Sequence, residues 1–302
     1  MLSTDLVLPD FFILGAAKAG TTSLFELLKL HPDVFMSSPK EPFFFEYEYE
    51  KGLGFYSRTY FRGWNGQKRI GEARVSHLLL PFVPGRIRAS RPEARLIAIL
   101  RDPVERAFSH WWMKYSRGFE SLSFEDALSE NLQRIESGED LSGESGERLW
   151  RSRITPGKRG VNLPVYLDAG YYAQQLERYF ATFDQDQICV FFFEDLLHRP
   201  HLVIDRMAGF LELDRAGFPS RLPKENTAAP AVLRPLHLID RRVGFSKILG
   251  QGLVRRVKGA FRFACKTPRM KPETREFLCN HYRPHNQRLS ELLGRSFDHW
   301  NV

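Results

Sequence analysis

The stretch GAAKAGTTSL, residues 15–24, has the glycine spacing of a phosphate-binding loop but a displaced charge. Loops of the form G-x-x-x-x-G-K-[ST] carry lysine directly after the second glycine. Here Thr21 stands in that place, and Lys18 lies inside the loop. Glycine turns that open a helix aim backbone N–H groups at an anion, and the helix dipole adds to the attraction. Lys18, Ala19, Gly20, Thr21, Thr22 and Ser23 together offer amides, three hydroxyls and one ammonium to a phosphate.

A second anion site is predicted farther along. The apolar run Arg95–Leu100 is followed by Arg101, where a magnesium-dependent nucleotidase would carry an aspartate. Arginine binds an anion through its planar fork and does not hold a metal. Ser109 lies about two helical turns on, so it can face the same side. Two separate anion sites on one sheet suit a nucleotide phosphorylated at both its 5′ and 3′ ends better than ATP, and no metal is expected.

Glu41, in KEPFFFE, is the candidate general base. The neighbouring Phe43, Phe44 and Phe45 are expected to desolvate it and raise its pKa toward neutrality. His77 and His110 are the rival bases.

These residues need rigid supports. Asp10–Ala16 reads as a buried strand, followed by a helix over Thr21–Leu30 that Pro32 ends. After the strand Arg95–Leu100, Asp102, Pro103 and Glu105 form the pattern of a capping box with proline at the first helical position. A third strand spans Ile188–Phe193, between helical patterns at Tyr172–Phe183 and His201–Leu211. Strands alternating with helices predict a single α/β domain with a central parallel β-sheet flanked by helices, over residues 1–302. Residues 136–162, rich in Ser, Gly and charge, read as a mobile insertion or lid, and Glu273–Leu293 as a helix pair broken at Pro284.

The 302-residue chain carries a net charge of +8, and residues 241–272 alone hold ten Lys and Arg with no Asp or Glu. That concentration implies an anionic partner. Its middle, 244–263, is amphipathic enough to lie on a membrane surface or to line an acceptor cleft. No apolar run reaches the roughly 18 residues of a membrane span. Three widely spaced cysteines, Cys189, Cys265 and Cys279, point to a reduced cytoplasmic setting.

Taken together, GAAKAGTTSL and LRDPVERAFSHWW (100–112) resemble the two nucleotide-binding motifs of the PAPS-dependent sulfotransferases, a P-loop-NTPase-like fold. HPDVFMSSPKEPFFFE (31–46), KGLGFY (51–56), IGEARVSHL (70–78), GYYAQQLERYF (170–180) and YRPHNQRLSELLGRSFDHW (282–300) extend the resemblance, which is closest to the heparan sulfate branch. The resemblance implies transfer of a sulfuryl group from PAPS to an acceptor hydroxyl or amine, leaving 3′-phosphoadenosine 5′-phosphate. It assigns Glu41 as base, Lys18 to the leaving oxygen, the loop residues to the 5′-phosphate, and Arg101 and Ser109 to the 3′-phosphate. In KTPRMKPE (266–273), it assigns Lys266 and Arg269 to covering the 3′-phosphate. Where heparan-type enzymes have a lysine, this chain has Ala73 followed by Arg74, so either Arg74 substitutes or that contact is absent. The expected partner is a carbohydrate or glycolipid acceptor and not a nucleic acid. The alternatives are a P-loop kinase of a small molecule or nucleotide and a non-catalytic nucleotide-binding module.

Overall fold

The computed structural model describes residues 6–154, 161, 163–219 and 268–302. Lys266, Cys265, the stretch 244–263 and most of 241–272 lie outside the described residues.

Five parallel strands form one sheet in the order β2-β3-β1-β4-β5. They are β1 (Phe11–Gly15), β2 (Val34–Met36), β3 (Arg69–Ala73), β4 (Arg95–Leu100) and β5 (Ile188–Phe192). Central β1 is buried along its whole length, and β4 is buried apart from Arg95, as expected of strands covered by helices on both faces. After building β2 and β3 on one side of β1, the chain crosses to β4 on the other. Such a switch leaves a crevice at the carboxyl ends of the strands, where ligands of open α/β sheets bind.

The helices are α1 (Thr21–Lys29), α2 (Gly52–Tyr60), α3 (Val83–Ser90), α4 (Pro103–Ser116), α5 (Phe124–Glu136), α6 (Gly143–Ser152), α7 (Tyr172–Phe180), α8 (Phe193–His198), α9 (Pro200–Leu211) and α10 (Pro272–Leu293). The main core lies between β1, β4, β5 and the helices against them. A second cluster of Val104, Trp111, Trp112, Phe124, Leu278 and Tyr282 joins α4 to α5 and α10.

Two local expectations change. The C-terminal helix pair is one 22-residue helix with Pro284 inside it. Proline removes one hydrogen bond from a helix, but Leu278, Cys279, Tyr282, Asn286 and Leu289 bury along one side and hold α10 together across it. Within 136–162, residues 155–160 and 162 lie outside the described residues, and the described part holds α6, whose Trp150 is buried. Asp102 caps α4 by accepting from the Val104 and Glu105 amides, but the Glu105 side chain does not return to the cap. It turns instead to Arg275 and Arg101.

Candidate active site

The glycine loop runs from the end of β1 into α1. Gly20 caps α1 at φ 97°, and no side chain caps the helix. The first-turn amides are thereby left for an anion. A β-carbon at Gly20 would come within 3.1 Å of the Phe193 ring and 3.2 Å of Leu196, so the turn fits tightly against α8. Lys18, in the same loop, adopts φ 70°. Burial, with Arg117 and Arg101 adding repulsion, lowers its pKa to about 8. A desolvated ammonium of this kind gains from an incoming anion.

Glu41 sits across the crevice at φ 63°. Its Oε1 accepts from Lys40 Nζ at 2.7 Å, and the same ammonium donates to Thr22 Oγ1 at 3.2 Å. Lys40 thus joins the glycine-loop helix to the carboxylate. The Glu41 Oε2 lies 3.6 Å from Arg74 Nη1. Burial works to raise the pKa of Glu41, but Lys40, Arg74 and Arg117 outweigh it, and the group titrates below the usual carboxylate range. The expected shift toward neutrality is therefore reversed: the adjacent Lys40, joined by Arg74 and Arg117 from elsewhere in the chain, outweighs the desolvation.

Arg74 is itself fixed from behind. Its guanidinium pairs with Glu46, donates through Nε to Ser76 Oγ at 3.0 Å and lies 3.8 Å over the Phe43 ring. Glu46 is fully buried and also accepts from Ser76 Oγ at 2.9 Å and from Trp150 Nε1 of α6 at 2.7 Å. Arg74 therefore does stand beside the candidate base, and Ala73 contributes only to the core.

On the other side of β1, Arg101 donates from Nη1 to the Lys18 carbonyl at 3.1 Å, and its guanidinium lies 4.8 Å over the Phe193 ring. Its Nη2 is 3.8 Å from Glu105 Oε2. The Tyr172 hydroxyl donates to the Arg101 carbonyl at 2.8 Å and fixes the backbone there. Arg101 and the loop are thus brought together. Ser109 is half-buried on α4, and Arg269 is exposed just before α10.

A family model for the sulfotransferase domain matches residues 8–225. The chain belongs to the sulfotransferase domain family. This sulfotransferase-family chain is 28% identical over 302 residues to heparan sulfate glucosamine 3-O-sulfotransferase 3B1 of Homo sapiens, an alignment covering 96% of this chain and 64% of that protein. It is 27% identical over 300 residues to the bifunctional heparan sulfate N-deacetylase/N-sulfotransferase 4 of Mus musculus, covering 95% of this chain and 30% of that one. The chain thus spans a little under two thirds of the first relative and under a third of the second. Among solved structures, a sulfotransferase from Alicyclobacillus acidocaldarius matches with a TM-score of 0.67 and 26% identity, covering 98% of this chain and all of that one.

The two histidines fare differently from Glu41. His77 is fully buried, with Nε2 3.4 Å from the buried Glu72 carboxylate, and burial holds its pKa well below the usual value. It is sealed from any acceptor. Burial likewise keeps the His110 imidazole neutral, with Lys114, Arg106 and Lys18 adding to the effect. The residues that sequence reasoning missed are Lys40, Glu46, Arg117 and Trp150. Lys40 adjoins Glu41 and was legible as a neighbour; Arg117, at the end of α4, lay two turns beyond Ser109. Nothing local marks Trp150, which reaches Glu46 across 104 residues.

Proposed function

We propose that this sulfotransferase-family chain moves the sulfuryl group of PAPS to a hydroxyl or amine of a carbohydrate or glycolipid acceptor. The observation that carries the reading is the Lys40 ammonium, which contacts both Thr22 of the glycine loop and the Glu41 carboxylate. A base is thereby held beside the phosphate-binding helix terminus, where a transferring group attached to a 5′-phosphate would lie. The chemistry that PAPS supplies is a sulfuryl group on a phosphate leaving group.

The chain's residues divide the work. Glu41 accepts the proton of the acceptor hydroxyl or amine as that atom attacks sulfur. Its depressed pKa keeps it ionised at neutral pH, so it is ready as a base without prior proton loss. Lys18 donates to the bridging oxygen as the S–O bond breaks and negative charge collects there. The amides and hydroxyls of residues 19–23 hold the 5′-phosphate, and Arg101 with Ser109 takes the 3′-phosphate. Lys266 and Arg269 then cover that phosphate.

The relatives' names support a glycan acceptor, one acting as a 3-O-sulfotransferase and one as an N-sulfotransferase on heparan sulfate. Lys40 and Arg117 beside Glu41 favour an acceptor that carries negative charge.

The test is a thermal-shift titration with 3′-phosphoadenosine 5′-phosphate, run beside ATP with and without magnesium, since a ligand of the folded state raises the midpoint. Magnesium-independent stabilisation by the bisphosphate, followed by mass-spectrometric detection of sulfated glycan from PAPS, is the expected result. Stabilisation by magnesium-ATP alone would overturn the reading in favour of a kinase.

A further inference from the structure

Glu105 stands between two arginines. Its Oε2 lies 3.8 Å from Arg101 Nη2, and its Oε1 pairs with Arg275 Nη2 on the first turn of α10. Arg101 donates through Nη1 to the Lys18 carbonyl and rests on the Phe193 ring, and among the described residues Glu105 is the carboxylate that faces its guanidinium. A phosphate at Arg101 would compete with this carboxylate for the guanidinium. Glu105 lies in the first turn of α4, where the helix dipole favours keeping its negative charge nearby. Arg275 is well placed to hold it. The first turn of α10 is pinned against α5, with Thr274 Oγ1 donating to Glu125 Oε1 at 2.8 Å and Lys271 Nζ 3.5 Å from Glu125 Oε2.

We infer that Arg275 is a positioning residue for the nucleotide: by holding Glu105, it leaves the Arg101 guanidinium available to the 3′-phosphate. The inference rests on the reading of Arg101 as a phosphate ligand. Without Arg275, Arg101 and Glu105 form a closed, neutral pair that phosphate must break. With it, Glu105 keeps a partner after Arg101 turns to the phosphate, and the triad carries one net positive charge toward the crevice. Binding of the nucleotide is thereby coupled to the seating of α10 on α4.

The experiment measures, by isothermal titration calorimetry, the Kd of the intact protein for 3′-phosphoadenosine 5′-phosphate. Arg275→Gln is expected to weaken binding by about 2- to 5-fold, the scale of one partly exposed charge pair. Arg275→Lys, which keeps a cation on Glu105, should restore most of the affinity. Glu105→Gln should bind as tightly as the wild type or a few-fold tighter. The deciding arm is Arg275→Gln in the Glu105→Gln background, where positioning predicts no further loss. An equal loss in both backgrounds would make Arg275 a direct phosphate ligand and overturn the inference, as would an unchanged Kd for Arg275→Gln alone. Failure of the underlying reading has its own signature: Arg101→Ala would bind as the wild type does, or the wild type would not bind at all, and either result overturns both.

Discussion

Beside Glu41, Arg74 is held by a carboxylate that water cannot reach, whereas beside Arg101 the carboxylate shared by two arginines is one that it can. Arg74 has a side chain only 6% exposed and pairs with a Glu46 that is wholly buried. Glu105 and Arg275 are 38% and 40% exposed. A buried, multiply bonded arginine is a fixed part of the scaffold, because separating it from its carboxylate strands a charge in a medium of low polarity. An exposed pair is weak and exchangeable. The difference matches two tasks. On the proposed reading, the base must hold one position and start each turnover ionised, while the phosphate ligands exchange their resident partners for the nucleotide's.

This contrast can be broken first at Glu41. Glu41→Gln should lower turnover by about 10²- to 10⁴-fold while leaving nucleotide Kd near its wild-type value; steady-state kinetics and calorimetry check both. A loss confined to affinity would erase the distinction between the two halves. Lys18→Met is next, with a fall in kcat of about 10²- to 10³-fold. The same residue predicts a pH effect. Its working form is the protonated one, and its pKa is lowered to about 8, so kcat/KM should decline as pH rises through that value. On the acid side, Glu41 is held below the usual carboxylate range, so activity should persist down to that lower pH before protonation removes the base.

Behind the base, the contrast sharpens into a stability difference. Glu46→Gln removes the wholly buried carboxylate from Arg74, leaving only the partly exposed Glu41 at 3.6 Å, and should cost about 3–5 kcal/mol in urea unfolding. Trp150→Phe removes one hydrogen bond to that carboxylate and should cost about 1–3 kcal/mol. On the phosphate side, Arg275→Gln should leave the unfolding midpoint nearly unchanged and shift only nucleotide affinity. A large loss of stability there would show that the exposed side is built like the buried one.

Much of the frame was legible because it obeys local rules. β1 and β4 are uninterrupted apolar runs followed by unambiguous helix starts, and β5 reads the same way. The glycine loop, Glu41 and Arg101 stand out by residue type at fixed spacing. β2 and β3 were not read as strands. One has three residues, and the other, RIGEA, hides a buried strand behind a glycine and a buried glutamate. That glutamate, Glu72, contacts the Tyr56 hydroxyl, and burial raises its pKa to about 8, so a residue that looks like a surface charge is a largely neutral member of the core at pH 7. The ionisation of Glu41 was misjudged for a related reason. The phenylalanines were weighed and the adjacent Lys40 was not, while Arg74 and Arg117 arrive from other elements. Long-range pairings such as Glu46 with Trp150 leave no periodicity to read.

Lys18 and Glu41 are two of only three non-glycine residues at positive φ among the described residues. Such a conformation costs on the order of 1–3 kcal/mol at each position, and at Lys18 it is combined with a charge partly removed from water and two arginines of the same sign. The resting loop therefore combines an unfavourable backbone with uncompensated positive charge, and a bound bisphosphate would offset the charge. It follows that inactivation and stabilisation should coincide: Lys18→Gly, inert in transfer, should melt at a higher temperature than the wild type when both are free of nucleotide. Saturation with the bisphosphate should narrow or reverse that gap.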